Sequence, residues 1–213
     1  MSLKERLGRR WRELSATAPE TAFTQGLWAD VRAAHPRFSA AVIADARVAA
    51  RHRGERHEFR SRADGALQVL RLAVVTDAFF AQCCYRAKAH CQARGIPVLP
   101  QLLHRLAMAT GQICIGDPVV VQPGVYIPHG QVVIGGVTEV GRDVVLDPFV
   151  TLGLRAGRIR GPSIGRSATI GTGARVIGRV RVGEHARVEA NAVVIADVPD
   201  GVTVAGIPAR VLS

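Results

Sequence analysis

No window of this 213-residue chain approaches the roughly 20 uninterrupted apolar residues that would span a bilayer. The opening Met1-Ser2-Leu3-Lys4-Glu5-Arg6 lacks the apolar stretch of a secretory leader, so a cytoplasmic protein without a membrane partner is expected. Disulfide and zinc frameworks are disfavoured as well. The cysteines Cys83, Cys84, Cys91 and Cys114 include an adjacent pair but no CxxC spacing, which makes them structural thiols of a reducing compartment. With 48% hydrophobic residues there is ample material for a core.

Acidic residues are in deficit, and the formal charge is +11. Residues 1 to 110 hold 16 Arg and 2 Lys against 9 acids, a balance of +9, which leaves 10 Arg against 8 acids for the rest. The densest run, Arg51 to Arg62, has a single aromatic, Phe59, and no recognition motif. It reads as a solvated connector, and nucleic acid is not the expected partner.

The first half carries helical periodicity. Phe23, Leu27, Val31, Ala41, Ile43 and Val48 recur at mixed three and four spacings, interrupted by Pro36 as at a helix end. Asp64 to Ala93 continues with Leu67, Leu70, Leu72, Val75, Phe79, Phe80 and Tyr85, with a break near Asp77 and an end at Gly95-Ile96-Pro97. Leu99 to Thr110 supplies a last helix whose apolar face is expected at Leu102, Leu103, Leu106 and Met108.

From Ile115 the period becomes six. Aliphatic residues stand at Ile115, Val121 and Ile127. After one extra residue they continue at Ile134, Val140, Leu146 and Leu152, then at Ile164, Ile170, Val176, Val182, Val188 and Val194. A small or β-branched residue follows four places after most of these, from Val119 and Val125 to Ala186 and Ala192. Neither the period of a strand nor that of a helix explains two agreeing hexad registers. Each hexad makes one short strand and a corner, three make a triangular coil, and stacked coils bury the aliphatic positions in one column. Glycines after the aliphatic position, such as Gly171 and Gly183, mark corners that need either a positive φ or a close backbone approach.

A helical N-terminal part, an extra residue after Ile127-Pro128-His129, an excursion after Val150-Thr151-Leu152-Gly153, and the ending Val204-Ala205-Gly206-Ile207-Pro208-Ala209-Arg210 together resemble serine acetyltransferase. The resemblance covers roughly residues 79 to 212. It implies an all-α N-terminal domain over 1–112 and a left-handed parallel β-helix over 113–213, with a loop extruded near 154–163. It also implies a homotrimer, pairing into a dimer of trimers in related enzymes, with acetyl-CoA lying as co-substrate in the groove between two helices.

By this resemblance His129 is the catalytic base, removing a proton from the hydroxyl or amine of serine or another small acceptor as it attacks the thioester. Asp147, one coil above Pro128, is a candidate to orient its ring, and Asp117 is a second. Gly153 and Thr172 are placed on the pantetheine path and Arg187 and Ala190 farther along, with Ala205, Gly206 and Arg210 closing the groove. Arg155, Arg158 and Arg160 of the excursion suit the phosphates of the donor. Pro128, Cys114 and Gly161 stand where the family has two aspartates and a second histidine, which leaves the acceptor open. No metal is expected, since the repeat region offers only His129 and His185. The alternative is a non-catalytic trimeric scaffold built from the same fold.

Overall fold

A computed structural model of the chain describes residues 22–212. Five helices come first: α1 (Ala22–Ala34), α2 (Phe38–His52), α3 (Arg62–Val75), α4 (Asp77–Ala93) and α5 (Leu99–Gly111). Their limits follow local chemistry. His35-Pro36 separates α1 from α2. Ser61 caps α3 by accepting from the Asp64 amide at 3.1 Å, and extended Thr76 breaks the chain between α3 and α4. No single helix among the described residues is long and apolar enough to cross a membrane. The basic run forms the α2–α3 connector, where Glu55 pairs with Arg53 and Arg71, and Asp64 with Arg56.

The remainder winds into three parallel sheets. The first stacks β1 (Ile113–Ile115), β3 (Val132–Ile134), β6 (Thr151–Gly153), β9 (Arg175–Ile177) and β12 (Val193–Val194). The second stacks β2 (Val120–Val121), β4 (Val137–Val140), β7 (Arg160–Ile164) and β10 (Arg181–Val182). The third holds β5 (Val145–Leu146), β8 (Thr169–Ile170), β11 (Arg187–Val188) and β13 (Thr203–Ala205), on which β14 (Arg210–Val211) folds back antiparallel.

The sheet registers repeat the sequence period. Val133 pairs with Thr151, Ile164 with Val182 and Val176 with Val194, each 18 residues on, which is three hexads. Cys114 pairs with Val133 at a step of 19, so one residue is looped out at the His129 corner. Leu152 pairs with Val176 at a step of 24, so the excursion adds six. Five of the six come before Arg160, which pairs with Val137 at a step of 23, and a bulge opposite Val137 to Glu139 adds the sixth. All thirteen aliphatic hexad positions are buried, as are Val119, Val125, Ala186 and Ala192 in the second register. Gly171 and Gly183 have negative φ. A Cβ on Gly171 would stand 2.8 Å from the Ala190 amide nitrogen of the next coil, so close approach is what these corners require.

The first coil has no strand beneath it, and α4 covers that end. Gln82 donates to the Val125 carbonyl at 2.9 Å, Tyr85 to Val119 at 2.8 Å and Lys88 to Ile115 at 2.6 Å. Arg86 donates to the Val121 and Gln122 carbonyls. Its charge is balanced by buried Asp45 of α2, at 2.9 and 3.1 Å, which also accepts from the Gly124 amide. Burial pushes the Asp45 carboxyl up and the Arg86 guanidinium pulls it down. The coil core accordingly continues without interruption into Ala78, Ala81, Cys84 and Tyr85 of α4 and Ala107 of α5.

Helix α5 differs from expectation. Leu102, Leu106 and Met108 are exposed, while Pro100, Ala107 and Gly111 are buried. The reason is close packing on α4, where a Cβ on Gly111 would stand 2.6 Å from that of Ala81. In turn, a Cβ on Gly130 would land on the Gly111 carbonyl oxygen, so the looped-out corner is pressed against the end of α5.

Two substitutions test these contacts. Arg86→Met strands a buried carboxylate and two carbonyls, and is expected to lower the unfolding free energy in urea by about 3–5 kcal/mol. Gly130→Ala is expected to lower it by about 1–3 kcal/mol through overpacking, measured in the same titration.

Candidate active site

The corner between the third and first sheets forms a column through the molecule. Tyr126 bridges to Val145, and Val145, Thr169, Arg187 and Thr203 are in register. Counting three residues on from each places His129, Pro148, Thr172, Ala190 and Gly206 above one another. The amide of Gly173 donates to the Pro148 carbonyl and that of Asn191 to the Thr172 carbonyl, which fixes the stacking. Asp147 and Ala205 stand one residue before the column, and Arg187 lies exposed on the adjoining third-sheet face. Residues predicted from distant parts of the sequence thus share one edge.

His129 is exposed and opens into a cleft of about 430 Å³. The opposite wall comes from the helical half: Arg53 after α2, Thr76 and Asp77 at the start of α4, and Thr110 and Gln112 at the end of α5. Sequence periodicity gave no sign of these wall residues. Gln131 adopts a left-handed φ of 68° and its amide donates to the Gln112 carbonyl, so the loop carrying His129 is tied to the helices.

The register puts Asp147 above Pro128, yet no hydrogen bond joins its carboxylate to His129. Its surroundings are different. Burial pushes the Asp147 carboxyl up, and the nearby His52 of α2 pulls it down. The His52 ring stacks on Tyr126, with centroids 4.1 Å apart and planes at 13°. Asp117 is committed elsewhere, pairing with buried Lys88 at 2.9 Å. Gly161 has a steric cause: a Cβ there would run into the Thr138 hydroxyl, which donates to the Gly135 carbonyl at 2.7 Å. No larger side chain fits that position.

The excursion builds a second cleft at the corner between the first and second sheets. It measures about 500 Å³ and is lined by Arg155, Arg158, Arg160 and Arg179, with Asp197 as its acid. Arg155 folds back over Gly178 and donates to the Ile195 carbonyl at 3.1 Å. Gly153 ends β6 on the way to this corner, and Arg210 lies exposed on β14. The structure therefore divides the predicted residues. His129, Asp147, Thr172, Arg187, Ala190, Ala205 and Gly206 gather at one corner, whereas Gly153 and Arg155 sit toward another. Among the described residues no three His, Cys, Asp or Glu side chains converge to hold a metal ion.

No protein-family model matches the chain. Individual proteins do. The serine acetyltransferase of Synechococcus elongatus is 36% identical over 138 residues, which is 63% of this chain and 56% of that protein, so the chain spans little more than half of its length. The serine acetyltransferase of Helicobacter pylori strain J99 is 37% identical over 134 residues, covering 61% of this chain and 78% of that protein. Among solved structures, soybean serine acetyltransferase complexed with serine superposes over 100% of this chain and 85% of its own, with a TM-score of 0.70 and 27% identity. The Vibrio cholerae serine acetyltransferase superposes over 99% and 80%, with a TM-score of 0.69 and 26% identity. With 37% identity over 78% of the Helicobacter pylori protein and a shared fold with the soybean enzyme, this chain belongs to the serine acetyltransferase family.

Proposed function

We propose that the protein transfers an acetyl group from acetyl-CoA directly to the hydroxyl or amine of a small acceptor, with His129 as general base. The single observation that carries this reading is the shared corner column, which sets an exposed imidazole in line with Thr172, Ala190 and Gly206 along a path of small or slender side chains. An extended pantetheine chain needs such a path, and an imidazole is the side chain suited to proton removal near neutral pH. Serine is the default acceptor, as the soybean enzyme's complex with serine suggests. In the cleft facing His129, Arg53 and Asp77 offer one positive and one negative group to whatever acceptor enters. Asp147 acts there as a polar neighbour held between His52 and the coil, and any orienting role would require its side chain to turn toward His129.

The second cleft suits the phosphates of the donor. Arg155, Arg158 and Arg179 would hold phosphate groups, since guanidinium forks bind phosphate oxygens in pairs. Gly153, Arg187, Ala205 and Arg210 complete the groove in this reading. The imidazole column and the arginine cleft occupy different corners of one chain, with the first sheet between them. A site that uses both is completed by two copies, which supports a homotrimer of left-handed helices packed side by side in the cytoplasm. Exposed Val133 and Phe149 on and beside that sheet, at 44% and 56%, are apolar surface for such packing. The helical segment to residue 112 and the coils from 113 are then two domains sharing one core.

Thiol release from acetyl-CoA, measured with a panel of amino acids and amines, tests the assignment. His129→Ala is expected to reduce the rate about 10²- to 10⁴-fold. An equal rate in both proteins would remove His129 from the chemistry, and no rate in either would leave the non-catalytic scaffold. The double variant R158A/R179A is expected to raise the KM for acetyl-CoA by roughly tenfold or more while kcat changes little, as for lost charge-assisted contacts to phosphate.

A further inference from the structure

We propose that a third cleft, where the end of α1, the start of α2 and the outer face of α4 meet, is a binding site for a phosphate-bearing anion. It measures about 430 Å³, and among the described residues its wall carries Arg32, His35, Arg37, Arg86, His90 and Arg94 and no carboxylate. The acyl-transfer reading neither needs this cleft nor depends on it.

The donors divide into engaged and available. Arg86 is taken up by Asp45 and the first-coil carbonyls through Nε, Nη1 and Nη2. Arg94 donates from Nη1 to His90 Nδ1 at 2.8 Å. An arginine can only donate, so Nδ1 is the accepting nitrogen and the His90 proton sits on Nε2, a further donor. Among the described residues no carboxylate lies within ion-pair distance of Arg32, Arg37 or Arg94. All three are exposed at the rim of the cleft with their guanidinium groups open to solvent, and a dianion seated between them would draw on all three charges at once.

The His35 imidazole reports the same environment. Burial, followed by the charges of Arg86 and Lys88, lowers its pKa to about 4, so it is neutral near pH 7. Tetrahedral phosphate, with several acceptor oxygens, matches guanidinium forks arriving from two helices better than a single carboxylate does. Apart from the Ser39 hydroxyl the remaining wall is apolar, with Pro36, Phe38, Ala89 and Ala93, and leaves room for an organic group beyond the phosphate. Inorganic phosphate, pyrophosphate and an organic diphosphate share this chemistry.

Isothermal titration of the full chain with inorganic phosphate, pyrophosphate and ADP tests the site. Saturable binding of at least one probe is expected, with about one molecule bound per chain. Binding of the two inorganic probes means that the oxyanion suffices, and binding of ADP alone means that an organic diphosphate is required. The double variant R32A/R37A should weaken binding roughly tenfold or more. Ser39→Glu, which introduces a negative charge at the cleft without removing an arginine, should weaken it as well. R158A/R179A, which removes phosphate contacts in the donor cleft, should still bind about one molecule per chain at this third cleft. The proposal is overturned if no probe saturates, if both R32A/R37A and S39E keep wild-type affinity while folded by circular dichroism, or if only R158A/R179A loses binding.

Discussion

A parallel coil has a first turn whose outward carbonyls find no partner in the sheet, and such groups are expensive to leave buried and unpaired. Here α4 supplies those partners. Gln82, Tyr85, Arg86 and Lys88 each end on a first-coil carbonyl, and Asp45 compensates the one guanidinium this brings into the interior. Everything above depends on this lid, because each later coil takes its register from the one below. The His129 corner belongs to that first coil and is further pressed on α5 through Gly130. The helical half therefore shapes the reactive corner directly, as well as carrying the opposite wall of its cleft.

The coils were legible because burial recurs every six residues and both registers agree, down to the one looped-out residue near His129. The helix breaks at Pro36 and Thr76 were legible through backbone chemistry. The outward leucines of α5 misled because apolar residues need not face the core. What buries α5 is the smallness of Ala107 and Gly111, which leaves no periodic trace. Thr172, Ala190 and Gly206 were singled out through the resemblance to the family, and the strand registers then bring them to the same corner as His129. Arg53, Asp77 and His52 could not be found in this way. Their positions depend on how the helix ends meet the coil, and that is decided by single hydrogen bonds from α4.

Departures from the family pattern also acquire physical reasons. Gly161 lies over Thr138, whose hydroxyl fills the space a larger residue would need. Asp117, equally available by composition, balances Lys88 on the lid. Asp147 stands close in register to the reactive corner, but its electrostatic neighbour is His52. The polar residues near His129 are thus divided between coil and helices, while the aliphatic column runs through every coil.

The far end of the column is closed by different means. There β14 reverses direction and lies antiparallel on β13, the Ala209 amide donates to the Val193 carbonyl, and Val193 donates in return to Gly206. Open strand edges invite other chains to add on and grow into fibres. With α4 across one mouth and β14 laid over the third sheet at the other, the described chain covers both ends of the prism with segments of its own, and the last parallel strand of that sheet is not left as an open edge.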